Sequence, residues 1–213
     1  MLDLKILVLN YPSNPTGSTL NERELKQIAE IVKKHNLIVV SDEIYDKILY
    51  ENNKHISFVQ LDDEIKKQTI LINGVSKTYS MTGWRIGYAA GDPSVISAMG
   101  NLSGQSTSNP TSISQKAAQE AFSGSQDEVG KMVEEFESRR NFICNELNKI
   151  YGIKCSIPDG AFYVFPDISS FFGKSYNGKE IKNSVDFTNF LLDEALVAVV
   201  PGVEFGSDKN IRI

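Results

Sequence analysis

Four side chains in the first half of the chain could each bind a different functional group of one small molecule. They are an aspartate, a tyrosine, a lysine and an arginine: Asp42, Tyr45, Lys77 and Arg85. A neutral lysine amine attacks carbonyl groups and forms Schiff bases, and burial or nearby cations can lower its pKa. The planar guanidinium of an arginine binds phosphate. A carboxylate can hold a pyridine nitrogen protonated, and a phenol can hydrogen-bond a ring oxygen.

An amine, a phosphate binder, a pyridinium partner and a phenol together match the functional groups of pyridoxal 5′-phosphate. Each residue by itself also has an ordinary structural explanation. Asp42 could cap a helix that begins near Ile44, Tyr45 could pack at the rim of the core, and the two cations could be solvated. The NPTG sequence at 14–17 could be a plain turn. Only the joint order of these residues makes the cofactor interpretation specific.

The elements that would position these residues alternate between strands and a helix. The helix follows Thr19 and Glu22, which have the spacing of a capping box, and its apolar positions repeat at helical intervals from Leu25 onwards. This order predicts the α/β class, with a mainly parallel sheet and crossover helices. Four short apolar runs are the predicted strands: residues 6–10, 37–40, 69–73 and 85–90.

Three polar residues follow predicted strands at the point where each strand ends. Asn14 comes after the first strand, Asp42 ends the second and Lys77 follows the third. Ligands of open α/β sheets bind at the carboxyl ends of the strands. If the sheet is parallel, all three residues are therefore expected at one edge.

The second half of the chain has a different pattern. We place a domain boundary near Asn141, so that 1–141 is the C-terminal part of a large domain and 142–213 is a small α+β domain. The predicted elements are helices at 93–99, 112–122, 126–151 and 184–196, a polar loop at 103–112, and apolar strand-like runs at 154–158, 161–168, 197–200 and 210–213.

Composition excludes several classes of protein. The 213 residues carry 22 basic and 27 acidic side chains, a net charge of −5, which argues against nucleic acid and anionic membranes as partners. No apolar run is long enough to span a bilayer, and the start does not resemble a signal peptide. Cys144 and Cys155 form neither a disulfide framework nor a zinc pattern, which predicts reduced intracellular thiols and no metal site. His35 and His55 are expected on surface segments, without function.

Five motifs occur in an order that extends along nearly the whole chain: PSNPTG (12–17), SDEIY (41–45), SKTYSMTGWRIGY (76–88), PDGAFYVF (158–165) and IRI (211–213). Together they resemble the fold type I pyridoxal-phosphate enzymes, more narrowly the class I aminotransferases, and within these the bacterial aspartate aminotransferases. The resemblance implies a cofactor-binding large domain followed by a small domain, pyridoxal 5′-phosphate as cofactor, a homodimer and a cytoplasmic location.

The resemblance also implies roles for individual residues on the cofactor. Lys77 would form the Schiff base with the cofactor and then act as general base and acid. Asp42 would pair with the pyridine nitrogen, and Tyr45 and Asn14 would hydrogen-bond the ring oxygen. Arg85 would bind the phosphate.

On the substrate side, the resemblance implies that Arg212 binds the α-carboxylate, with Asn14 as a second contact. The sequence departs from the family at the phosphate. Many members carry a hydroxyl three residues before the lysine, where this chain has Gly74. The side chain of Ser76 and the backbone N–H of Gly74 are the two candidates to replace it.

The function that the resemblance implies is transamination between an α-amino acid, with an aspartate-like or aromatic donor, and a 2-oxo acid. Three alternatives stay open: β-elimination, decarboxylation, and a non-catalytic aminotransferase-like fragment. Family members are roughly twice as long, so we expect that this stretch lacks the N-terminal half and the last helix. Half of the pocket would then lie upstream, and activity of this stretch alone is left open, as is its preferred donor.

Overall fold

The computed structural model describes residues 4–51 and 53–213. The chain forms two compact units. The first contains the described residues up to Pro12 together with Thr19–Val133, and the second contains Ser13–Ser18 together with Glu134–Ile213. The division in the long central helix lies close to the predicted boundary at Asn141, whose meaning as a functional domain boundary stays a prediction.

The first unit is built on a four-stranded sheet of order β1-β2-β3-β4. The first three strands are parallel and the fourth is antiparallel to the third. This mixed, mainly parallel arrangement confirms the predicted α/β class. The apolar runs predicted the strands to within about two residues, and the strands are Ile6–Asn10 (β1), Ile38–Asp42 (β2), Thr69–Gly74 (β3) and Gly87–Ala90 (β4).

The register aligns the carboxyl ends of the parallel strands. Asn10, the last residue of β1, lies opposite Asp42, the last residue of β2. Asp42 in turn lies opposite Ile72, two residues before the end of β3. The carboxyl ends of the three strands therefore lie at one common edge, with Asp42 at its middle. Asn14 belongs to the second unit, so its expected place at this edge stays a prediction.

Helix α1, Glu22–His35, connects β1 to β2 and buries one apolar stripe, Leu25, Ala29 and Val32. The predicted capping box at Thr19 and Glu22 is wrong. The box is formed by Asn21 and Glu24, whose side chains each bind the other's backbone N–H at 3.1 and 2.9 Å. Asparagine is as good an N-cap as threonine, and it stands directly before the first helical residue.

The core of the first unit lies between the sheet, α1 and the connection from β2 to β3. That connection contains a short 3-10 helix, Phe58–Gln60, and helix α2, Asp63–Gln68, capped by Asp62. Each large apolar side chain buried here contributes about 1.5–3 kcal/mol. The core side chains are Tyr11, Leu25, Ala29, Val32, Leu37, Val39, Phe58 and Ile65.

Helix α3, Pro93–Ser106, is longer than predicted, and the predicted polar loop at 103–112 is wrong over its first four residues. Asp92 caps the helix at Ser94 N, and serine side chains near its end bond back to helix carbonyls, as Ser106 does to Leu102 at 3.0 Å. The first strong helix breaker is Pro110, so the loop covers only 107–111. Helix α4, Ser112–Ser123, agrees with the prediction.

Helix α5, Asp127–Lys149, contains the chain division between the two units. The second unit also contains helix α6, Ser184–Ala195, and 3-10 helices at Ser169–Phe171 and Gly202–Phe205. In the described part of the chain, no helix is both long and apolar enough to cross a membrane. The strands of the second unit are two-residue pairs: Ser175–Tyr176 (β5) with Lys179–Glu180 (β6), and Val200–Pro201 (β7) with Ile211–Arg212 (β8).

The predicted strand-like run at 161–168 is held by scattered backbone hydrogen bonds and not by a regular ladder. Val164 and Ile213 exchange N–H···O bonds of 3.1 and 3.0 Å, and Ile168 N donates to Lys209 O at 2.8 Å. The β5–β6 hairpin was not predicted. Cys144 and Cys155 are free and buried in a small apolar cluster of this unit, as expected for reduced thiols.

Candidate functional site

Lys77 and Arg85 lie on the two arms of the connection between β3 and β4. These strands are antiparallel, Gly74 pairs with Gly87, and Val75 N donates to Ile86 O at 3.4 Å. Lys77 comes three residues after one member of that pair, and Arg85 comes two residues before the other. The closed connection therefore brings both cations to the same end of the sheet, although eight positions separate them.

The arm that carries Arg85 is tied to the arm that carries Lys77. Thr82 Oγ1 donates to the carbonyl of Ser76 at 3.0 Å, and Arg85 Nη1 donates to the carbonyl of Thr82 at 3.1 Å. Arg85 has a left-handed backbone, with φ of +54°, after the 3-10 helix Thr82–Trp84. Its side chain is exposed, and a guanidinium has five N–H groups, so donors remain for an anion.

Gly74 lies where two backbones approach closely. A Cβ at this position would lie 2.8 Å from Ile86 O and 2.9 Å from Gly87 Cα, at the start of the neighbouring strand β4. A side chain here would therefore displace β4. The Gly74 N–H already donates to Asn73 Oδ1 at 2.7 Å. Of the two candidates for the missing hydroxyl, this geometry favours the half-buried Ser76.

Asp42 is a half-buried carboxylate at the middle of the common edge. Its Oδ1 accepts from Ile44 N at 3.3 Å, and residues 44–47 form a turn, so the alternative of a helix cap is not realised. Burial raises the pKa of Asp42, the neighbouring Glu43 charge raises it further, and the Ile44 hydrogen bond opposes both. Among the described residues, no basic side chain forms an ion pair with Asp42.

Tyr45 is buried in the turn that follows Asp42, with 3% of its surface exposed. The same turn contacts the lysine loop, because Thr78 Oγ1 donates to Asp46 Oδ1 at 3.2 Å. Tyr45 and Lys77 are thus each adjacent in sequence to one partner of this hydrogen bond. The structure brings the segments that carry Asp42, Tyr45, Ser76, Lys77 and Arg85 to one end of the first unit's sheet.

Glu43 is a residue that sequence reasoning missed. Its carboxylate is buried and accepts from five donors: Ser41 Oγ at 2.8 Å, Ser57 Oγ at 2.9 Å, Phe58 N at 3.1 Å, His55 Nε2 at 2.7 Å and Tyr11 Oη at 3.4 Å. Burial alone would raise the pKa of Glu43, but hydrogen bonds from His55, Ser41 and Ser57 outweigh it and lower the pKa. The only sequence signal was a glutamate directly after a buried strand.

The expectation that His55 lies on the surface is wrong. Its side chain is only 13% exposed, and its ring stacks on Tyr11 at a centroid distance of 5.2 Å. The hydrogen bond to Glu43 holds the imidazole inside, because a buried carboxylate needs hydrogen-bond donors. No periodic pattern in the sequence indicates such a pair across 12 positions.

In the second unit, Asn14 and Arg212 form a direct pair. Arg212 Nη1 donates to Asn14 Oδ1 at 2.8 Å, across 198 positions of sequence. The guanidinium lies over the rings of Tyr163 and Phe205, with its carbon 4.8 Å from each centroid. No carboxylate of the described residues forms an ion pair with Arg212. The group is half-buried, oriented by two aromatic faces, and retains N–H donors for a carboxylate.

The PSNPTG turn that carries Asn14 is fixed by the loop at 158–160, which sequence reasoning did not connect with it. Gly17 O accepts from Asp159 N at 3.0 Å and from Gly160 N at 2.9 Å. Gly17 has φ of +67°, and a Cβ there would collide with Pro158 Cβ and lie 2.8 Å from Gly160 O. Only glycine satisfies both requirements. The two motifs therefore meet as one structural feature of the second unit.

Comparison with known proteins is consistent with this geometry. Residues 2–213 match the family model of aminotransferase class I and II. The chain is 48% identical over 209 residues to an aspartate aminotransferase of Bacillus subtilis, covering 98% of this chain and 52% of the relative. Among solved structures, an aspartate aminotransferase of Rhizobium meliloti superposes with a TM-score of 0.94 at 41% identity, covering 98% of this chain and 53% of the other.

A second solved structure, an aromatic aminotransferase of Pyrococcus horikoshii, gives a TM-score of 0.90 at 36% identity and covers all of this chain and 56% of the other. The chain therefore spans about half the length of the curated relatives it matches. The likeness covers both compact units described above.

Proposed function

We propose, from the premise that this chain belongs to the class I and II aminotransferases, that the protein transfers an amino group from an α-amino acid to a 2-oxo acid. The relatives are named for aspartate and for aromatic amino acids, and we propose a donor of one of these two kinds. The cofactor proposed is pyridoxal 5′-phosphate.

The donor set of the first unit fits this cofactor. The single observation that carries the proposal is Asp42, a half-buried carboxylate with a raised pKa and no basic partner among the described residues. A pyridinium N–H would supply the missing positive charge and bring the pKa back down. Arg85 offers exposed donors for the phosphate, and the buried Tyr45 follows Asp42 in the same turn.

Bound pyridoxal phosphate supplies an electron sink that stabilises negative charge at the substrate α-carbon. The chain's own contribution is to bind, orient and move protons. Asp42 Oδ would keep the pyridine nitrogen of the cofactor protonated, and Arg85 would hold its phosphate. Lys77 Nζ is the proposed general base that removes the α-proton of the donor and returns a proton in the second half of the cycle.

Arg212 is proposed to bind the substrate α-carboxylate. Its guanidinium is oriented by Tyr163 and Phe205, and Asn14 takes one of its N–H groups. Two parallel N–H···O bonds to a carboxylate use the planar fork of an arginine, which a lysine cannot reproduce. We therefore expect Arg212→Lys to raise the KM of the donor about tenfold or more.

The test uses the full-length protein that contains this chain. Addition of pyridoxal phosphate is expected to produce a visible absorbance band that Lys77→Ala abolishes, and a panel of amino-acid donors is expected to yield oxo acids in the presence of a 2-oxo acid acceptor. A protein that eliminates or decarboxylates its substrates without transferring the amino group would contradict the proposal. So would a band that does not depend on Lys77.

We also propose a homodimer located in the cytoplasm. Exposed apolar side chains on and after α3, Val95, Met99, Leu102 and Ile113, support an interface on this part of the first unit. The free, buried thiols support a reducing compartment. Light scattering of the full-length protein tests the first of these proposals, since a monomeric mass would contradict it.

A further inference from the structure

Arg140 is a charged residue in an apolar stripe. The buried residues of α5 are Arg140, Cys144 and Leu147, which follow one another at helical intervals of four and three. Cys144 and Leu147 belong to the apolar cluster of the second unit, and Arg140 is only 6% exposed. Since a buried guanidinium is costly unless its donors are satisfied, its contacts indicate what it is there to hold.

The guanidinium of Arg140 binds a backbone carbonyl of the loop at 158–160. Nη1 donates to Pro158 O at 3.0 Å, and this hydrogen bond is buried. The remaining edge is fixed from its own helix: Nε and Nη2 donate to Asn141 Oδ1 at 3.0 and 2.8 Å, and Nη2 lies 3.3 Å from Glu137 Oε1. The guanidinium is thereby oriented toward the Pro158 carbonyl.

The loop that Arg140 holds is the same loop that fixes the Asn14 turn. Pro158 lies against Gly17, and the next two residues donate their N–H groups to Gly17 O. Gly17 N in turn donates to Ser13 O at 2.8 Å, which closes the turn around Asn14. A shift of the Pro158 carbonyl would therefore be transmitted to Asn14 through two backbone contacts.

The continuation of that loop supports Arg212. The ring of Tyr163 lies under the guanidinium, and Val164 exchanges two backbone hydrogen bonds with Ile213, the residue after Arg212. The segment 158–164 therefore contacts the turn that carries Asn14 at one end and supports Arg212 at the other. Arg140 is the buried side chain that anchors the start of this segment to α5.

We propose that Arg140 is a positioning residue that holds the Asn14–Arg212 pair in the geometry for a substrate carboxylate, through the segment 158–164. The inference rests on the carboxylate-binding role proposed for Arg212. Arg140 itself touches no substrate. Its effect is expected mainly on the affinity for carboxylates, because Asn14 is the one proposed cofactor ligand in the second unit and the others lie in the first.

The test compares Arg140→Met and Arg140→Lys with Arg139→Met in the full-length protein. Arg139 is the matched control, because it precedes Arg140 on α5 but its side chain is 68% exposed and forms an ion pair with Glu135 on the helix surface. Succinate, a dicarboxylate without an amino group, is the probe, and its Kd is measured by calorimetry. Because a bidentate arginine–carboxylate pair depends on the direction of both N–H groups, we expect the Kd to change by about tenfold when the Arg212 guanidinium is misplaced.

We expect Arg140→Met to weaken succinate binding and raise the donor KM about tenfold, with kcat and the Lys77-dependent absorbance band nearly unchanged. Arg140→Lys, which keeps the charge but not the fork, is expected to fall in between, and it decides the question if Arg140→Met does not fold. Arg139→Met should match the wild type.

Two results would overturn the inference: a normal succinate Kd in folded Arg140 variants whose only defect is a lower Tm, or an equal change in Arg139→Met. A wild-type protein that does not bind succinate would also overturn it. If succinate binding of the protein depends on Arg140 as predicted but the wild type transfers no amino group, the inference stands and the proposed function fails.

Discussion

The two compact units position their candidate functional residues by different means. In the first, Asp42 ends a strand that is paired through its backbone on both sides, and the lysine loop grows out of the next strand. In the second, Asn14 and Arg212 are positioned by side-chain hydrogen bonds, two ring faces and two-residue strands. A backbone ladder tolerates changes of neighbouring side chains, whereas a side-chain assembly depends on each member.

Each unit also contains one buried charge next to its candidate residues, Glu43 in the first and Arg140 in the second. Glu43 joins β2 to the segment at 55–58, which lies in the core of its unit. Arg140 joins a helix to a loop. We therefore expect loss of Glu43 to act mainly on global stability, and loss of Arg140 to act mainly on ligand affinity.

The largest expected effect is that of Glu43→Gln. The amide keeps one acceptor oxygen but leaves the imidazole of His55 and two serine hydroxyls without the charge they bind. Breaking a buried, charge-assisted network in this way should lower the free energy of unfolding by about 3 kcal/mol. Urea unfolding of the purified protein measures it, with the exposed Glu30→Gln as control.

Unchanged stability in Glu43→Gln would break the comparison, because the strand ladder alone would then hold the first unit's edge. A second measurement sharpens the result. If the ladder still fixes the direction of Asp42, the folded Glu43→Gln protein should keep the Lys77-dependent absorbance band. Because the proposed carboxylate ligands Arg212 and Asn14 belong to the second unit, its succinate Kd should also match the wild type, in contrast to Arg140→Met.

Gly74→Ser is expected to be the next largest effect. The substitution restores the hydroxyl that many family members carry, but its Cβ would lie 2.8 Å from Ile86 O. We expect a loss of about 1–3 kcal/mol of stability, as for other overpacked sites, and no gain in cofactor affinity. The control is Gly83→Ser in the same loop, where a Cβ meets nothing within 4 Å. Equal stability of the two variants would show that β4 yields readily.

The same contrast explains which parts of the fold could be predicted from sequence. Strands in the first unit are mostly apolar runs of four to six residues, and α1 repeats its apolar positions at helical intervals, so both were predicted closely. The errors occurred where several nearby polar residues could each cap or end a helix. Asn21 displaced Thr19 as the cap, and serines that favour loops were accommodated in α3. Strands of two residues in the second unit carry too little pattern to be predicted.

For the candidate site, motif order indicated the residues with reactive groups but not their supports. Lys77, Asp42 and Arg212 stand in recognisable segments, and the roles assigned to them stay predictions. Glu43 and Arg140 act through partners 12 and 18 positions away, which no local pattern connects. A charged residue inside an apolar helical stripe was the one signal available for Arg140.

A smaller effect on the free energy of unfolding is expected from a change of pH. Burial, reinforced by Glu43, raises the pKa of Asp42 above its ordinary 3.8, so the folded state holds this proton more tightly than the unfolded state. The contribution of Asp42 to stability therefore falls as pH rises from the unfolded through the folded pKa. Glu43 has the opposite sign, because its pKa is lowered and its contribution is lost as pH falls.

Asp42→Asn removes the first of these two contributions. Its stability relative to the wild type should increase as pH rises through the ordinary carboxylate pKa and then through the raised pKa of folded Asp42, and stay constant at higher pH. Urea unfolding across this range in the absence of cofactor measures it. A relative stability of Asp42→Asn that decreases with rising pH would mean that Asp42 has a cationic partner in the folded protein.

The smallest expected effect concerns the two thiols of the second unit, and it tests whether that unit is well packed despite its short strands. Cys144 and Cys155 are 1% and 7% exposed, and burial, with the neighbouring Cys144 sulfur, raises the pKa of Cys155 to about 12. At pH 8 only about one Cys155 in ten thousand would then be a thiolate, the form that reacts with disulfide reagents. Neither thiol should react with such a reagent within minutes in the native protein, and both should react after unfolding in guanidinium.

Rapid labelling of the native protein would instead mean that the apolar cluster around Cys144 on α5 opens locally. In that case the Asn14–Arg212 pair would lack a rigid support. The two units would then differ in local stability as well as in the kind of contacts that position their candidate residues.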